Sequence, residues 1–150
     1  SAIEFRLKTE SGRSMKIGFV NGCFDVLHIG HIRMLDFAKS NCDKLIIGID
    51  SDTRVKALKG SSRPINDEND RREFLLSLQA VHQVEIFKSE DELISLIKLL
   101  QPDIMVVGSD YRDKRVIGSE HAKQLIFFDR IEGYSTSKIV EGSGNRRQLH

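Results

Sequence analysis

Apolar residues recur along this chain with two alternating periods. KIGFV (16–20) and KLIIGI (44–49) are short apolar runs rich in β-branched residues, and between them HIRMLDFAKS places Ile32, Leu35 and Ala38 at helical spacing. That pattern predicts a βαβ unit. SDTRVKAL (51–58) predicts a short helix, KGSSRPIND (59–67) a polar loop, and ENDRREFLLSLQA (68–80) a helix with Phe74, Leu75 and Leu78 on one face. VEIF (84–87), EDELISLIKLL (90–100) and IMVVG (104–108) repeat the alternation, with Pro102 as a helix stop. LIFF (125–128) predicts the last strand, and in STSKIVE Ser135 or Thr136 is placed to cap a terminal helix. The whole predicts a Rossmann-like, doubly wound α/β fold, a parallel sheet of about five strands with helices on both faces. Ligands of such folds sit beyond the C-terminal strand ends, at the switch point.

The polar, Gly/Ser/Arg-rich stretches 1–14 and 142–150 lack this periodicity and are expected to be tails or added remnants around one domain, 15–141, with Met15 as a native start. The 150 residues are enough for a single domain with its own core. Basic residues (23) nearly balance acidic ones (22), for a net charge of +1, so no global field draws the chain to nucleic acid or a membrane. An anionic ligand has to be held by local placement. Cys23 and Cys42 form no CxxC pair, and neither a signal-like apolar region nor a membrane-length apolar run is present. A reducing cytoplasm is the expected compartment.

NGCFDVLHIGH (21–31) follows the first predicted strand and runs into the first predicted helix. A helix N-terminus there offers unpaired N–H groups and partial positive charge, both suited to a phosphate. Gly30 lets an anion approach the backbone, and His28 and His31, three residues apart, are set to donate to the same phosphate. Neither GxxxxGK[ST] nor GxGxxG occurs, so this is a different cradle. The alternatives are a structural role for either histidine or one edge of a metal site, for which no third ligand is near. Cys23 at a strand end is expected to be packed and inert rather than a nucleophile.

GCFDVLHIGH together with RIEGYSTS (130–137) resembles the cytidylyltransferase-like nucleotidyltransferase family, whose signatures are HxGH and a downstream RTxGISTT-type segment. The similarity runs from Met15 to Glu141. LKGSSRPINDENDRREFLLSL and PDIMVVGSDYRDKRVIG look closest to the bacterial heptose 1-phosphate adenylyltransferase branch, which makes ADP-heptose for lipopolysaccharide. Two features depart from that branch. Arg130 is more like the glycerol-3-phosphate cytidylyltransferases, and VVGSDY carries Val107 and Ser109 where the heptose branch looks like VKGGDY.

The resemblance implies attack by a sugar phosphate oxygen on the α-phosphorus of ATP, with release of pyrophosphate. It implies His28 and His31 on the α-phosphate, Lys59 or Lys56 closing over the phosphates, and Arg130 with Ser135, Thr136 and Ser137 on the β- and γ-phosphates. Asn21, Gly22, Cys23, Phe24, Gly30 and Gly108 are expected along the nucleotide, with Asp110 and Tyr111 near base or sugar. Asp25 and Arg71 are expected at the substrate, Asp25 having an Asx-type loop cap as its alternative. Mg²⁺ is expected as the cofactor, carried by the triphosphate rather than by a protein cage, and a homodimer as the assembly. A cytidylyltransferase using CTP and a non-catalytic nucleotide-binding regulatory domain are the competing readings.

Overall fold

In the computed structural model, which describes residues 12–129 and the strand 135–139, β1 (Ile17–Gly22), β2 (Lys44–Asp50), β3 (Gln83–Phe87), β4 (Ile104–Gly108), β5 (Gln124–Phe128) and β6 (Ser135–Ile139) form one sheet. Its order is β3-β2-β1-β4-β5-β6. The first five strands run parallel and β6 pairs antiparallel to β5, with Phe127 opposite Thr136. The terminal helix expected from STSKIVE is therefore corrected to an edge strand. Its Ser/Thr-rich start suits either a helix cap or a strand, and the decisive factor is the free edge of β5, which local sequence does not encode.

Among the described residues, four α-helices connect the strands: α1 (Ile29–Ser40), α2 (Asp52–Lys59), α3 (Glu68–Leu76) and α4 (Glu90–Leu100). Ser51, Asp67 and Ser89 cap α2, α3 and α4 by accepting the backbone N–H of Arg54, Asp70 and Glu92. The third helix is shorter than its apolar spacing predicts. Ser77 donates its hydroxyl to the Phe74 carbonyl at 2.6 Å and ends the helix, leaving Leu78 and Val81 to pack beneath it from a turn.

Alternation along the strands sends side chains to two cores. Phe19, Ile46, Met105, Leu125 and Phe127 meet Leu93, Ile97 and Leu100 of α4 on one face. Leu45, Ile47, Val106, Ile126 and Phe128 meet Met34, Leu35 and Ala38 of α1 and Leu75 of α3 on the other. Both faces are covered, as a parallel sheet requires. One close approach requires a glycine: at Gly118, with φ +81, a Cβ would lie 2.5 Å from Cδ1 of Ile97 on α4.

The chain winds outward from β1 in one direction through β2 to β3 and in the other through β4 to β5. β1 pairs with β2 over its full length, from Ile17 opposite Lys44 to Gly22 opposite Ile49, but its pairing with β4 is confined to Gly18 opposite Ile104 and Phe19 opposite Met105. Beyond Phe19 a crevice opens between the strand ends, at the place where this topology puts a ligand.

Candidate active site

The crevice widens into a cleft of about 470 Å³. Its floor is the end of β1 and the loop after it, Asn21 to Val26; its β4 wall carries Gly108, Tyr111 and Arg115; its β2 wall carries Asp50, Arg54, Lys59 and Arg63. His31 looks into it from the first turn of α1. Phe24 adopts φ +51, a left-handed conformation unusual for a bulky residue, and its ring packs edge-on against His31 with centroids 5.3 Å apart.

The two histidines are organised by the helix they open. His28 is the N-cap of α1: its Nδ1 accepts the Gly30 N–H at 3.1 Å, while Nδ1 of His31 accepts the His28 N–H at 3.3 Å. This is a reciprocal capping box made from two imidazoles, whose rings lie 3.9 Å apart. A neutral imidazole that accepts at Nδ1 carries its proton on Nε2. Both side chains thus present an Nε2–H donor beside a helix N-terminus that already favours anions. His28 is exposed and is not among the residues that line the cleft.

Two charged residues expected at the substrate are held by protein partners. Arg71 is 0% exposed; its Nε donates to the Asn66 carbonyl at 3.0 Å, its Nη1 to the Cys23 and Asp50 carbonyls at 3.0 and 2.7 Å, and its Nη2 to Asp52 at 2.8 Å. It therefore ties together the loops after β1, β2 and α2, and the expectation of a substrate contact is corrected to an internal brace. Asp25 is buried, and its carboxylate accepts the N–H groups of Ile65 and Asn66 and Nε of Arg63. Burial alone would raise its pKa, but those donors hold it below the usual carboxylate value. These partners lie about forty positions further on, so they are not the local Asx-type cap, and Asp25 also lines the cleft, beside which a substrate contact is expected.

Lys59 lines the cleft and Lys56 does not, although both are exposed on α2. Cys23 lies on the floor, where burial pushes its thiol up against the opposing pull of Lys59 and Arg71. Asn21, Gly22, Phe24, Gly108 and Tyr111 line the cleft as expected of neighbours to a ligand, and Gly30 is buried in the first turn of α1. Arg130 lies outside the described residues, as do the side chains of Asp110, Ser135, Thr136 and Ser137. Among the described residues no three His, Cys, Asp or Glu side chains converge as a metal cage requires.

Arg54, Arg63 and Arg115 line the cleft without having been singled out from the sequence. Arg54 pairs with Asp50 at 2.8 Å and lies over the Phe87 ring, 5.6 Å from its centroid. The only sequence signal for Arg63 is its place before Pro64 in the loop that follows Lys59. Arg54 and Arg115 read as ordinary surface arginines.

A doubly wound α/β domain with a histidine-capped helix at its switch point and cations on both walls is the arrangement of a nucleotidyltransferase domain. Residues 19–142 match the model of the cytidylyltransferase-like family, and the chain belongs to that family. It is 50% identical over 139 residues to the bifunctional protein HldE of a Nitratiruptor species and to that of Helicobacter pylori, in each case over 93% of this chain and 30% of the relative. HldE of Nitrobacter hamburgensis is 40% identical over 148 residues, 96% of this chain and 30% of that protein. The chain thus spans about a third of the length of these relatives. Among solved structures, the lipopolysaccharide core biosynthesis protein from Thermoplasma volcanium GSS1 superposes with a TM-score of 0.57 at 29% identity, over 64% of this chain and 76% of that one.

Proposed function

We propose that this domain transfers the adenylyl group of ATP to a sugar 1-phosphate of the heptose 1-phosphate type, forming an ADP-sugar and pyrophosphate. An oxygen of the acceptor phosphate attacks the α-phosphorus, a new P–O bond forms, and the bond to the bridging α–β oxygen breaks with its electrons leaving on pyrophosphate. No protein nucleophile takes part. The chemistry demands that two anions be brought together and that the charge growing on the α-phosphate be met by preorganised donors.

The histidine capping box carries this reading. Its two Nε2–H groups are fixed by bonds made at the opposite ring nitrogen, so they require no reorganisation when charge develops. Lys59 adds a mobile positive charge at the end of α2, next to Gly60, which caps the helix at φ +106. Mg²⁺ enters with the triphosphate as part of the substrate. The choice of ATP and a heptose phosphate is supported by the LKGSSRPIN and GSDYRDKRVIG stretches and by the likeness to HldE proteins and to a lipopolysaccharide core biosynthesis protein.

Pyrophosphate release with ATP, CTP, GTP and UTP against heptose 1-phosphate and glycerol 3-phosphate tests the proposal. Turnover is expected with ATP and the heptose phosphate. Preference for CTP and glycerol 3-phosphate overturns it in favour of a polyol-phosphate cytidylyltransferase.

A further inference from the structure

Two polyanions that meet in one cleft need separate sets of donors, or each displaces the other. The β4 wall, with Gly108, Tyr111 and Arg115, and the β2 wall, with Lys59 and Arg63, supply two such sets. Resting on the proposed reaction, we propose that Arg63 holds the phosphate of the acceptor on the β2 wall, and that Asp25 is the positioning residue that aims it.

Among the described residues, the three arginines that line the cleft differ in how far they are fixed and how far they are open. Arg54 is fixed but enclosed, its side chain 19% exposed between Asp50 and the Phe87 ring. Arg115 is open but loosely held, 60% exposed with Glu90 at 3.7 Å. Arg63 is both held and open: its Nε donates to Oδ2 of Asp25 at 3.0 Å, and its side chain is 37% exposed against 3% for Asp25.

The carboxylate that holds it is itself immobile. Its oxygens accept the Ile65 and Asn66 N–H groups at 2.9 Å, and Nδ2 of Asn66 donates to the Asp25 carbonyl. With Nε committed, the planar guanidinium has its direction set, and its Nη1 and Nη2 have no hydrogen-bond partner among the described residues. An Nη1/Nη2 edge matches two oxygens of a phosphate and leaves the third free to attack. The ion pair with Asp25 cancels the net charge of Arg63 without removing these donors, and Lys59 beside it supplies the uncompensated positive charge. Asp25 belongs to the loop that leads into the histidine cap, so one carboxylate sets both the acceptor's donor and the approach to the α-phosphate site.

The test is calorimetric titration of inorganic phosphate and, separately, of Mg·ATP into the wild-type chain, R63A, R63Q and the exposed control R72A. R63Q keeps an amide donor for Asp25 and so guards against loss of the fold. Both Arg63 variants are expected to weaken phosphate binding about tenfold or more, the scale of hydrogen bonds to a charged group, with ATP affinity held within about twofold. D25N, which leaves the fork in place but unaimed, is expected to raise the KM for heptose 1-phosphate with little change in ATP affinity. Unchanged phosphate binding in folded R63A and R63Q, or equal losses for phosphate and ATP, overturns the assignment. Phosphate binding that depends on Arg63 in a protein without turnover sustains the anion site and removes the proposed reaction. Turnover with phosphate binding indifferent to R63A removes the assignment and leaves the reaction.

Discussion

The His28 backbone N–H is bonded to the His31 ring, at 3.3 Å, and the His28 ring returns a bond to the same turn through Gly30. Each imidazole therefore has a conformational duty at Nδ1 and leaves Nε2 for the chemical one proposed for it. The duties separate by mutation. H28A is expected to lose about 1 kcal/mol of stability with the cap, whereas H28N, asparagine being a strong N-cap, keeps most of it. Both variants should lose turnover by about 10²-fold or more, the scale for one preorganised donor. Urea unfolding and pyrophosphate release, run side by side, measure the two duties; near-normal turnover in H28N would reduce His28 to a cap alone.

Lys59 stands at the cleft end of α2, exposed and flanked by a glycine. K59A should lower kcat and kcat/KM far more than it weakens ATP binding, because closure matters most when the phosphates are forced together. R72A, on the solvent side of α3, is the control and should leave all three unchanged. Stopped-flow single turnover with calorimetric ATP affinity reads the split. Equal, small effects at both positions would make Lys59 a surface charge.

Arg71 is fully buried and donates four hydrogen bonds that join distant parts of the chain. R71M fills similar volume but leaves the Cys23, Asp50 and Asn66 carbonyls and the Asp52 carboxylate without their donor. The expected loss is about 3–5 kcal/mol, the cost of removing one partner from a buried polar cluster. The urea midpoint should fall with the m-value unchanged. A midpoint close to wild type would mean that water takes over the four acceptors.

Acid should loosen the protein at two places. Hydrogen bonds from Arg13 and the Lys16 N–H lower Asp43 to about 2, and Asp25 is likewise held below its usual value. A carboxylate with a depressed folded pKa stabilises fully above its unfolded value of about 3.9. That contribution is lost as pH falls through the folded pKa. Stability should therefore decline between about pH 4 and pH 2. D43N should flatten part of this slope without touching the cleft, since Asp43 sits beside Lys16 at the opposite end of β1. An unchanged slope in D43N would show that its ion pair persists in the unfolded chain.

The strands and helices were legible where the chain's own period decided them. Ile46 and Ile47 point to opposite cores because strand side chains alternate, and that is visible in KLIIGI. The start of α1 was legible near HIGH, but its cap was not, because a histidine is not among the usual caps. What else stayed hidden depends on residues far apart in sequence. Arg71 and Arg72 are adjacent and alike, yet one is enclosed by three loops and the other faces solvent. Asp25 meets its partners about forty positions away, across the α2–α3 connection. Arg63 is placed at the site only by that meeting. Edge strand β6 was misread as a helix for the same reason, its partner being β5 rather than its own neighbours.

The ladder between β1 and β4 stops at Phe19 opposite Met105, while β1 continues to Gly22. Past that rung β1 is paired with β2 alone and β4 with β5 alone, and both strand ends line the cleft, where the hydrogen-bonding character of a peptide group does not vary with the residue that carries it. Under the proposed reaction, any share of recognition carried by these groups lies in a part of the molecule that drifting sequences leave intact. Alanine scanning is blind to it. Replacing a single amide between Val20 and Cys23 by an ester, which deletes one N–H and alters no side chain, is the substitution that reads it.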